Sequence, residues 1–459
     1  MNKKFSLYKT AKNSQERLAF VSEVVFAKRK SQKNLKSIKV DSGISFQSHL
    51  GFGGALTDTA AEVLNVLPSE KRSEVLESLY GASGLNYNIA RMCIGSSDFS
   101  LKQYQYIADG DKKLSSFNVD IDRVLKFPLF KDCEKIHKRT GEDLLLTLSP
   151  WSPPAFMKTN RELSHGGELL PEYFDLYAKY LVRYLLELEK EDIHPTFLSV
   201  QNEPQAVQRW DSCIYSPEQE GQFILHYLKP ELDRHKLDVK ITIWDHNRDV
   251  IVERVKDTLS IPGVSSLIWG VAYHWYCSDA YHNLSLVHEM YPDKHIFLSE
   301  CCVEMSNSLI DGGYFGKWSH GEKYGHDIIC DFLNWSEGWV DWNIAVDEKG
   351  GPNHAANYCE APIMVDVLSK KIIYNASYYY IGHFSKFIRP GAKRIGIANP
   401  YKKGVLALSY KNLDSSMVIV IMNETDCDEQ ITIDCDGFVG EVSLQNHSIV
   451  SMISSDEKD

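Results

Sequence analysis

Short apolar runs, each ending in a polar side chain and each followed by an amphipathic stretch, recur eight times between His49 and Val346. They are HLGFGGALTD from His49, YNIARMCIG from Tyr87, DLLLTLSP from Asp143, TFLSVQNEP from Thr196, VKITIWDHN from Val239, GVAYHWY from Gly270, HIFLSE from His295 and WVDWNIAV from Trp339. The stretch PEYFDLYAKYLVRYLLELEK from Pro171 is representative of what lies between. Its Phe174, Tyr177, Ala178, Leu181 and Leu185 fall near a helical period. Strands alternating with helices predict parallel βαβ units. Runs that are continuous rather than alternating predict strands buried on both faces. Eight units over roughly 320 residues predict a (β/α)8 TIM barrel with insertions, spanning residues 49–375. A doubly wound open sheet is the alternative. It would want a G-x-G-x-x-G phosphate loop after an early strand, which GFGGALTD does not supply.

The pattern changes near Arg394. RIGIANP, GVLALSYKN, SSMVIVIMNET, EQITIDC and GEVSLQNHSIVSMI are short β-rich runs separated by Asn, Asp, Gly and Pro. They predict an antiparallel sheet or sandwich over residues 376–459. Residues 1–48, through SIKVDSGISFQ, are expected to add a strand to it, so that the all-β domain is built from both chain ends.

Composition narrows the class. The 459 residues are 43% hydrophobic, 11% aromatic and 24% charged, which excludes a disordered chain. The net charge of −12 comes without a basic stripe, which argues against nucleic acid or an anionic membrane as a partner. No window of about 18 apolar residues predicts a transmembrane helix. The N-terminal MNKKFSLYKTAKNSQERLAF lacks the apolar core of roughly 7–15 residues that marks a secretory signal. No C-x-x-C pair occurs among the ten cysteines. A reduced, cytoplasmic protein is therefore expected.

In a barrel of this kind the chemistry sits at the C-terminal ends of the strands. The residues there are Asp58, Arg91 with Asp98, Trp151, Asn202 with Glu203, Asp245 with His246, His274 with Trp275 and Tyr276, Glu300, and Trp342 with Asn343. Glu203 and Glu300 belong to the fourth and seventh runs, which face each other across an eight-stranded barrel. Two carboxyls flanking a bond are what glycoside hydrolysis needs. Aromatic faces suit sugar rings, and amide and acidic side chains suit hydroxyls. Each residue also has a plainer reading: loop salt bridges for the glutamates, core packing for the tryptophans, a hydrogen-bonded structural role for His274. His246, His274 and His295 form neither an H-x-H nor an H-E-x-x-H spacing, so no zinc site is expected. GASG from Gly81 and GSSD from Gly95 do not match the G-x-S-x-G of a serine hydrolase.

The blocks GFGGALTD, RMCIGSSDFS, LSPWSPPAFMKTN, VQNEP, VAYHWY, LSECC, GWVDWN, GGPN and GHFSKFIRPG, in that order over roughly residues 50 to 450, resemble glycoside hydrolase family 30, most of all its glucosylceramidase branch. The resemblance implies a (β/α)8 barrel with an attached β-sandwich and a retaining double displacement that needs no metal or organic cofactor. It implies Glu203 as acid/base and Glu300 as nucleophile. Asn202 would bond the sugar 2-hydroxyl, while Asp98, Trp151, Trp342 and Asn353 would hold the glucose ring. Arg91, His274 and Tyr276 would orient the nucleophile and shape the pocket. Cys302 matches a cysteine near the nucleophile and carries no assigned role. The expected activity is a β-glucosidase of glucosylceramidase type on a glycolipid or oligosaccharide β-glucoside. A β-1,6-glucanase or gluco-oligosaccharide hydrolase is the alternative within the family, and a non-catalytic carbohydrate-binding barrel the alternative outside enzymes. Gln205 to Cys213 and the loop around His165, Gly166 and Gly167 would shape the leaving-group side, and neither carries a signal for what leaves.

Overall fold

In the computed structural model, which describes residues 2–29, 36–305 and 314–454, the eight runs are the eight strands of one closed parallel barrel. In chain order they are Gly51–Ala55, Ile89–Ile94, Leu145–Pro150, Phe197–Ser199, Lys240–Asn247, Ile268–His274, His295–Glu300 and Gly338–Asn343. The eighth closes on the first, with Trp339 opposite Phe52. The second and eighth strands are buried at every position. Apolar residues therefore fill most positions of both, interrupted by Arg91 in the second and by Asp341 and Asn343 in the eighth: one face meets the barrel interior and the other the helices. Ile89, Ala272, Phe297 and Val340 fill part of that interior. At Gly53 a Cβ would lie 1.9 Å from the Ile89 carbonyl oxygen, so only glycine allows the first strand to approach the second this closely.

The helix Phe174–Lys190 buries Tyr177, Leu181, Tyr184, Leu185 and Leu188 and leaves Asp175 exposed and Lys179 half-buried. Its apolar stripe covers the barrel wall, as the 3.6-residue period requires. Among the described helices none is long and apolar enough to cross a membrane.

The second domain is all-β and takes strands from both chain ends. Nine strands hydrogen-bond in a closed circuit: Asn2–Ala11, Ala19–Lys28, Phe438–Leu444, Glu429–Cys435, Ile38–Ser48, Lys393–Ala398, Val405–Lys411, Met417–Asn423 and Ser448–Ser454. The N-terminal segment thus contributes three strands, where SIKVDSGISFQ alone predicts one. All pairings are antiparallel except Ile38–Ser48 with Glu429–Cys435. Strand Met417–Asn423 is wholly buried. Its Ile419 and Ile421 join the core of this domain, while Val418, Val420 and Met422 pack into the core shared with the barrel. The helix Ala376–Ser385 lies within the C-terminal segment and packs on the barrel helix Trp318–Leu333. On it the buried His383 bonds Ser451 Oγ at 2.8 Å and Thr10 Oγ1 at 2.9 Å, tying together strands from the two ends of the chain.

Candidate active site

Arg91 stands at the centre of the strand ends and is fully buried. Its Nη1 donates to Glu300 Oε2 at 2.5 Å, and its Nη2 donates to Asn202 Oδ1 at 2.9 Å and Asp245 Oδ2 at 3.1 Å. The second, fourth, fifth and seventh strands are thereby locked to one guanidinium, whose fork geometry suits several carboxylate partners. Burial would pull its pKa down, but Asp245 and Glu300 outweigh it and hold it charged. The guanidinium also lies 4.9 Å from the Trp151 ring and 5.5 Å from the Trp342 ring, and those two rings stack on each other.

Asp245 reaches this position because the fifth strand bulges. Trp244 and Asp245 take φ of 76° and 52°, and the pairing with the sixth strand shifts between Trp244 and His246. Left-handed backbone at non-glycine residues is costly and gathers at functional sites. Ser149 and Ser299 hydroxyls donate to Asp245 at 2.7 and 2.6 Å. Burial pushes its carboxyl up, but Arg91 and His274 hold it well below the usual carboxylate range.

Glu203 follows the fourth strand with φ of 47°, and its backbone N–H donates to the Asp245 carbonyl at 2.9 Å. Its Oε1 is 3.2 Å from His274 Nδ1 and 3.6 Å from His246 Nδ1, and Gln208 donates to its Oε2 at 3.3 Å. His274 spans three acids. Nε2 meets Asp245 Oδ1 at 3.1 Å, while Nδ1 meets Glu203 Oε1 and lies 4.0 Å from Glu300 Oε1. One imidazole nitrogen between both glutamates shows that they share one small cavity. Glu300 Oε1 also accepts from the Tyr276 hydroxyl at 3.0 Å.

The charges follow from these contacts. Burial pulls His274 down, but Glu300, Asp245 and Glu203 together push it up to about 9. Burial raises Glu203, yet the neighbouring imidazoles outweigh it and hold that carboxyl below the usual carboxylate range. Burial and the Glu203 charge push Glu300 up against His274 and Arg91. In the resting site the mobile proton therefore sits on His274, hydrogen-bonded to Glu203. The imidazole between the two acids thus reverses the rise that burial would give Glu203.

A cavity of about 270 Å3 opens above this network, lined by Asp98, Trp151, Asn202, Glu203, Tyr276, Glu300 and Trp342. Arg91 and His274 lie beneath it. Burial first, and the Glu300 charge second, push Asp98 up. Asn353 is not among the lining residues. Its side-chain amide donates to the Asn357 carbonyl, and Asn357 lines the cavity instead, donating to Asp98 Oδ2 at 2.9 Å. GGPNHAANY carries two asparagines four residues apart, and a turn between them puts Asn357 rather than Asn353 on the cavity. Gln208 and Trp210, from the Gln205–Cys213 stretch, and His246, from the end of the fifth strand, also line the cavity, as does Glu304, to which neither strand position nor family likeness pointed. A larger, mostly apolar cavity of about 520 Å3 lies among Leu101, Tyr104, Ile121 and Leu125. Its buried Asp58 lies 3.7 Å from Lys126 Nζ and accepts from the Tyr104 hydroxyl at 3.0 Å, and Glu62 and Asp120 also line it.

Glu203, His246 and His274 offer three ligand atoms within 4.8 Å of one another, enough to accept a divalent ion. Binding there would take the lone pairs of Glu203 and require His274 to lose its proton.

The comparisons with known proteins agree with this geometry. Residues 49–388 match the glycosyl hydrolase family 30 TIM-barrel domain, and residues 391–452 match its β sandwich domain. The chain is 32% identical over 401 residues to lysosomal acid glucosylceramidase of Mus musculus, covering 84% of this chain and 77% of that protein. It is 26% identical over 427 residues to an endo-1,6-β-D-glucanase of Neurospora crassa, covering 89% and 85%. The crystal structure of SrfJ from Salmonella typhimurium superposes with a TM-score of 0.92 at 33% identity, covering 98% of this chain and 99% of that one.

Proposed function

Because the chain belongs to glycosyl hydrolase family 30, and so is a glycoside hydrolase, we propose that it is a retaining β-glucosidase of glucosylceramidase type. The observation that carries this reading is the single His274 nitrogen 3.2 Å from Glu203 and 4.0 Å from Glu300, which brings two glutamates of opposite strands to one sugar-sized cavity.

The glucose ring enters against Trp151 and Trp342, with Asp98, Asn202 and Asn357 towards its hydroxyls. The glycosidic oxygen arrives beside Glu203 and displaces water, and the proton of His274 passes to Glu203. Glu300, fixed by Arg91 and Tyr276, attacks the anomeric carbon. The carbon–oxygen bond to the leaving group breaks, and that oxygen takes the Glu203 proton. A glucosyl ester on Glu300 results. Water then enters, Glu203 accepts one of its protons and passes it back to His274, the hydroxyl attacks the anomeric carbon, and β-glucose leaves with Glu300 restored. Arg91 holds its geometry throughout, which is preorganised electrostatic support rather than proton transfer.

The higher identity to the mouse glucosylceramidase favours a glycolipid-type glucoside as substrate. A second reading, cleavage of a β-1,6-glucan, is favoured by the polar cavity mouth at Gln208, Asn247 and Glu304 and by the similarity to the fungal endo-1,6-β-D-glucanase. The test is a 2-deoxy-2-fluoro-β-glucosyl fluoride followed by peptide mapping. A stable label on Glu300 is expected, with β-glucose as the first product from an aryl β-glucoside. A label on Glu203, or α-glucose first, overturns the assignment. Relative kcat/KM on dispersed glucosylceramide and a β-1,6-gluco-oligosaccharide separates the two substrates.

A further inference from the structure

Beyond the nucleophile the chain forms a short strand, Val303–Met305, paired antiparallel with Tyr358–Glu360, with Glu304 opposite Cys359. Alternation along it buries Val303 and Met305 and turns Glu304 the other way. Its side chain reaches solvent at the mouth of the cavity that Glu203 and Glu300 line. No described residue forms a hydrogen bond or ion pair with the Glu304 carboxylate.

Among the described residues, no lysine or arginine lines this cavity. Arg91 is buried beneath it and held by Asp245 and Glu300. Arg209 stacks on Trp210 and donates to the Ala356 carbonyl at 2.8 Å. The carboxylates therefore exceed the cations facing the cavity, and the excess at its mouth is Glu304. The mechanism above protonates the leaving oxygen from Glu203. The departing group must then lie on the Glu203 side, and Glu203 is the strongest charged neighbour of Glu304.

We infer that Glu304 forms a cation-accepting leaving-group subsite, and that the enzyme prefers β-glucosides whose aglycone carries an ammonium group. This deepens the glucosidase reading and rests on it. An ammonium beside Glu304 replaces an unpaired charge with a charge-assisted hydrogen bond in a mouth of reduced dielectric. It also offsets the repulsion between Glu304 and the acids that face it. Burial first, then Glu203 and Glu300, push the Glu304 carboxyl up to about 7 against the pull of His274, and a bound cation would relieve that push. The preference therefore grows as pH rises through 7 and Glu304 ionises.

The experiment compares 4-(aminomethyl)phenyl β-glucoside with the matched 4-(hydroxymethyl)phenyl β-glucoside in the whole protein and in Glu304→Gln. The readout is the ratio of the two kcat/KM values, in which general damage cancels. A ratio of about ten in the native protein is expected. It should fall towards one in Glu304→Gln, below pH 6, and at about 1 M salt, where the Debye length shrinks to roughly 3 Å. Glu304→Asp should recover part of it. A native ratio near one, or a ratio that Glu304→Gln leaves intact, overturns the inference. If neither glucoside is cleaved and the fluorosugar leaves Glu300 unlabelled, the glucosidase reading has failed and takes this inference with it.

Discussion

Among the described residues two arginines are buried with two carboxylates apiece, Arg91 and Arg248, and of these Arg91 stands under the cavity of the site. Arg248 donates to Asp331 at 3.0 Å and Asp327 at 2.5 Å, bonds the Ser278 carbonyl, and packs 4.2 Å from the Tyr281 ring. Lys323 adds a second cation at 3.3 Å from Asp327. Two cations face two acids, and the cluster is closed. Arg91 holds Asp245 and Glu300 just as tightly, but beyond Glu300 the site opens onto Glu203, Asp98 and Glu304. Buried ion pairs are weak evidence of anything by themselves, and perturbed acids occur in structural clusters too. Asp331 shows this: burial pushes its carboxyl up to about 7 although it does no chemistry in the reading above. What separates the two clusters is uncompensated negative charge facing open space.

Substitution should break the symmetry between them. Glu300→Gln should lower kcat/KM by about 10^4-fold or more on every substrate, because no covalent ester can form. Arg91→Met should lower it by about 10^3-fold, as loss of a preorganised electrostatic contact does, and should also destabilise the fold by leaving Asp245 unpaired. Arg248→Met should cost a similar 3–5 kcal/mol or so of stability, but the folded protein should keep kcat/KM within about threefold. Thermal melts alongside initial rates on an aryl β-glucoside separate the outcomes. Equal loss of activity in the two arginine variants would remove the distinction drawn between the clusters.

Glu203→Gln comes next. Without a proton donor, alkyl glucosides should slow by about 10^2–10^4-fold. Dinitrophenyl glucosides, which leave unaided, should slow less, and azide should restore turnover as a glucosyl azide. If azide gives no adduct and both substrate types slow alike, Glu203 is not the acid.

Glu203 and Glu300 could be named from the chain because each ends a mostly apolar run, as a barrel strand buried on both faces requires, and the family resemblance supplied their roles. The N-terminal strands Asn2–Ala11 and Ala19–Lys28 were hidden for the opposite reason. Much of Ala19–Lys28 is exposed, and Phe5 pairs with Ser454 across almost the whole chain, a contact that local periodicity does not record. Asp245 sits at a legible strand end, but its turn into the Arg91 cluster depends on a bulge with two left-handed residues. Asn357 rather than Asn353 faces Asp98 because of a turn inside one short motif. Glu304 lies on a strand of three residues, too short for alternation to be read.

The two clusters should also titrate differently. Asp331 is raised in the folded state to about 7 from an ordinary value near 4, so the fold binds that proton more tightly than the unfolded chain. Its stabilisation is present below pH 4 and is lost as pH climbs to 7. Asp331→Asn should flatten that slope, by on the order of 2 °C in Tm, with little change in the activity profile. His274 is raised to about 9 from about 6.5, so its stabilisation is present below pH 6.5 and is lost between there and 9. Activity should fall over the same alkaline limb, because the shared proton of His274 and Glu203 is then gone, and His274→Gln should move that limb to lower pH. An alkaline limb unchanged in His274→Gln would detach the imidazole from proton delivery.

The smallest effect expected concerns metal, and it sharpens the comparison from the other side. The Arg248 cluster contains no imidazole, whereas the open cluster brings Glu203, His246 and His274 within 4.8 Å. The proposed chemistry needs the Glu203 lone pair and the His274 proton, and a bound ion would take both. A chelator such as EDTA should therefore leave kcat/KM within about twofold. Zinc ions should inhibit rather than activate, and should do so more strongly as pH rises towards 9, since binding must first release the His274 proton. His246→Ala should weaken zinc inhibition by removing one ligand, while Asp331→Asn should leave it untouched. Loss of activity on chelation, restored by a divalent ion, would mean that the trio holds a working metal, and the acid role of Glu203 would have to be given up.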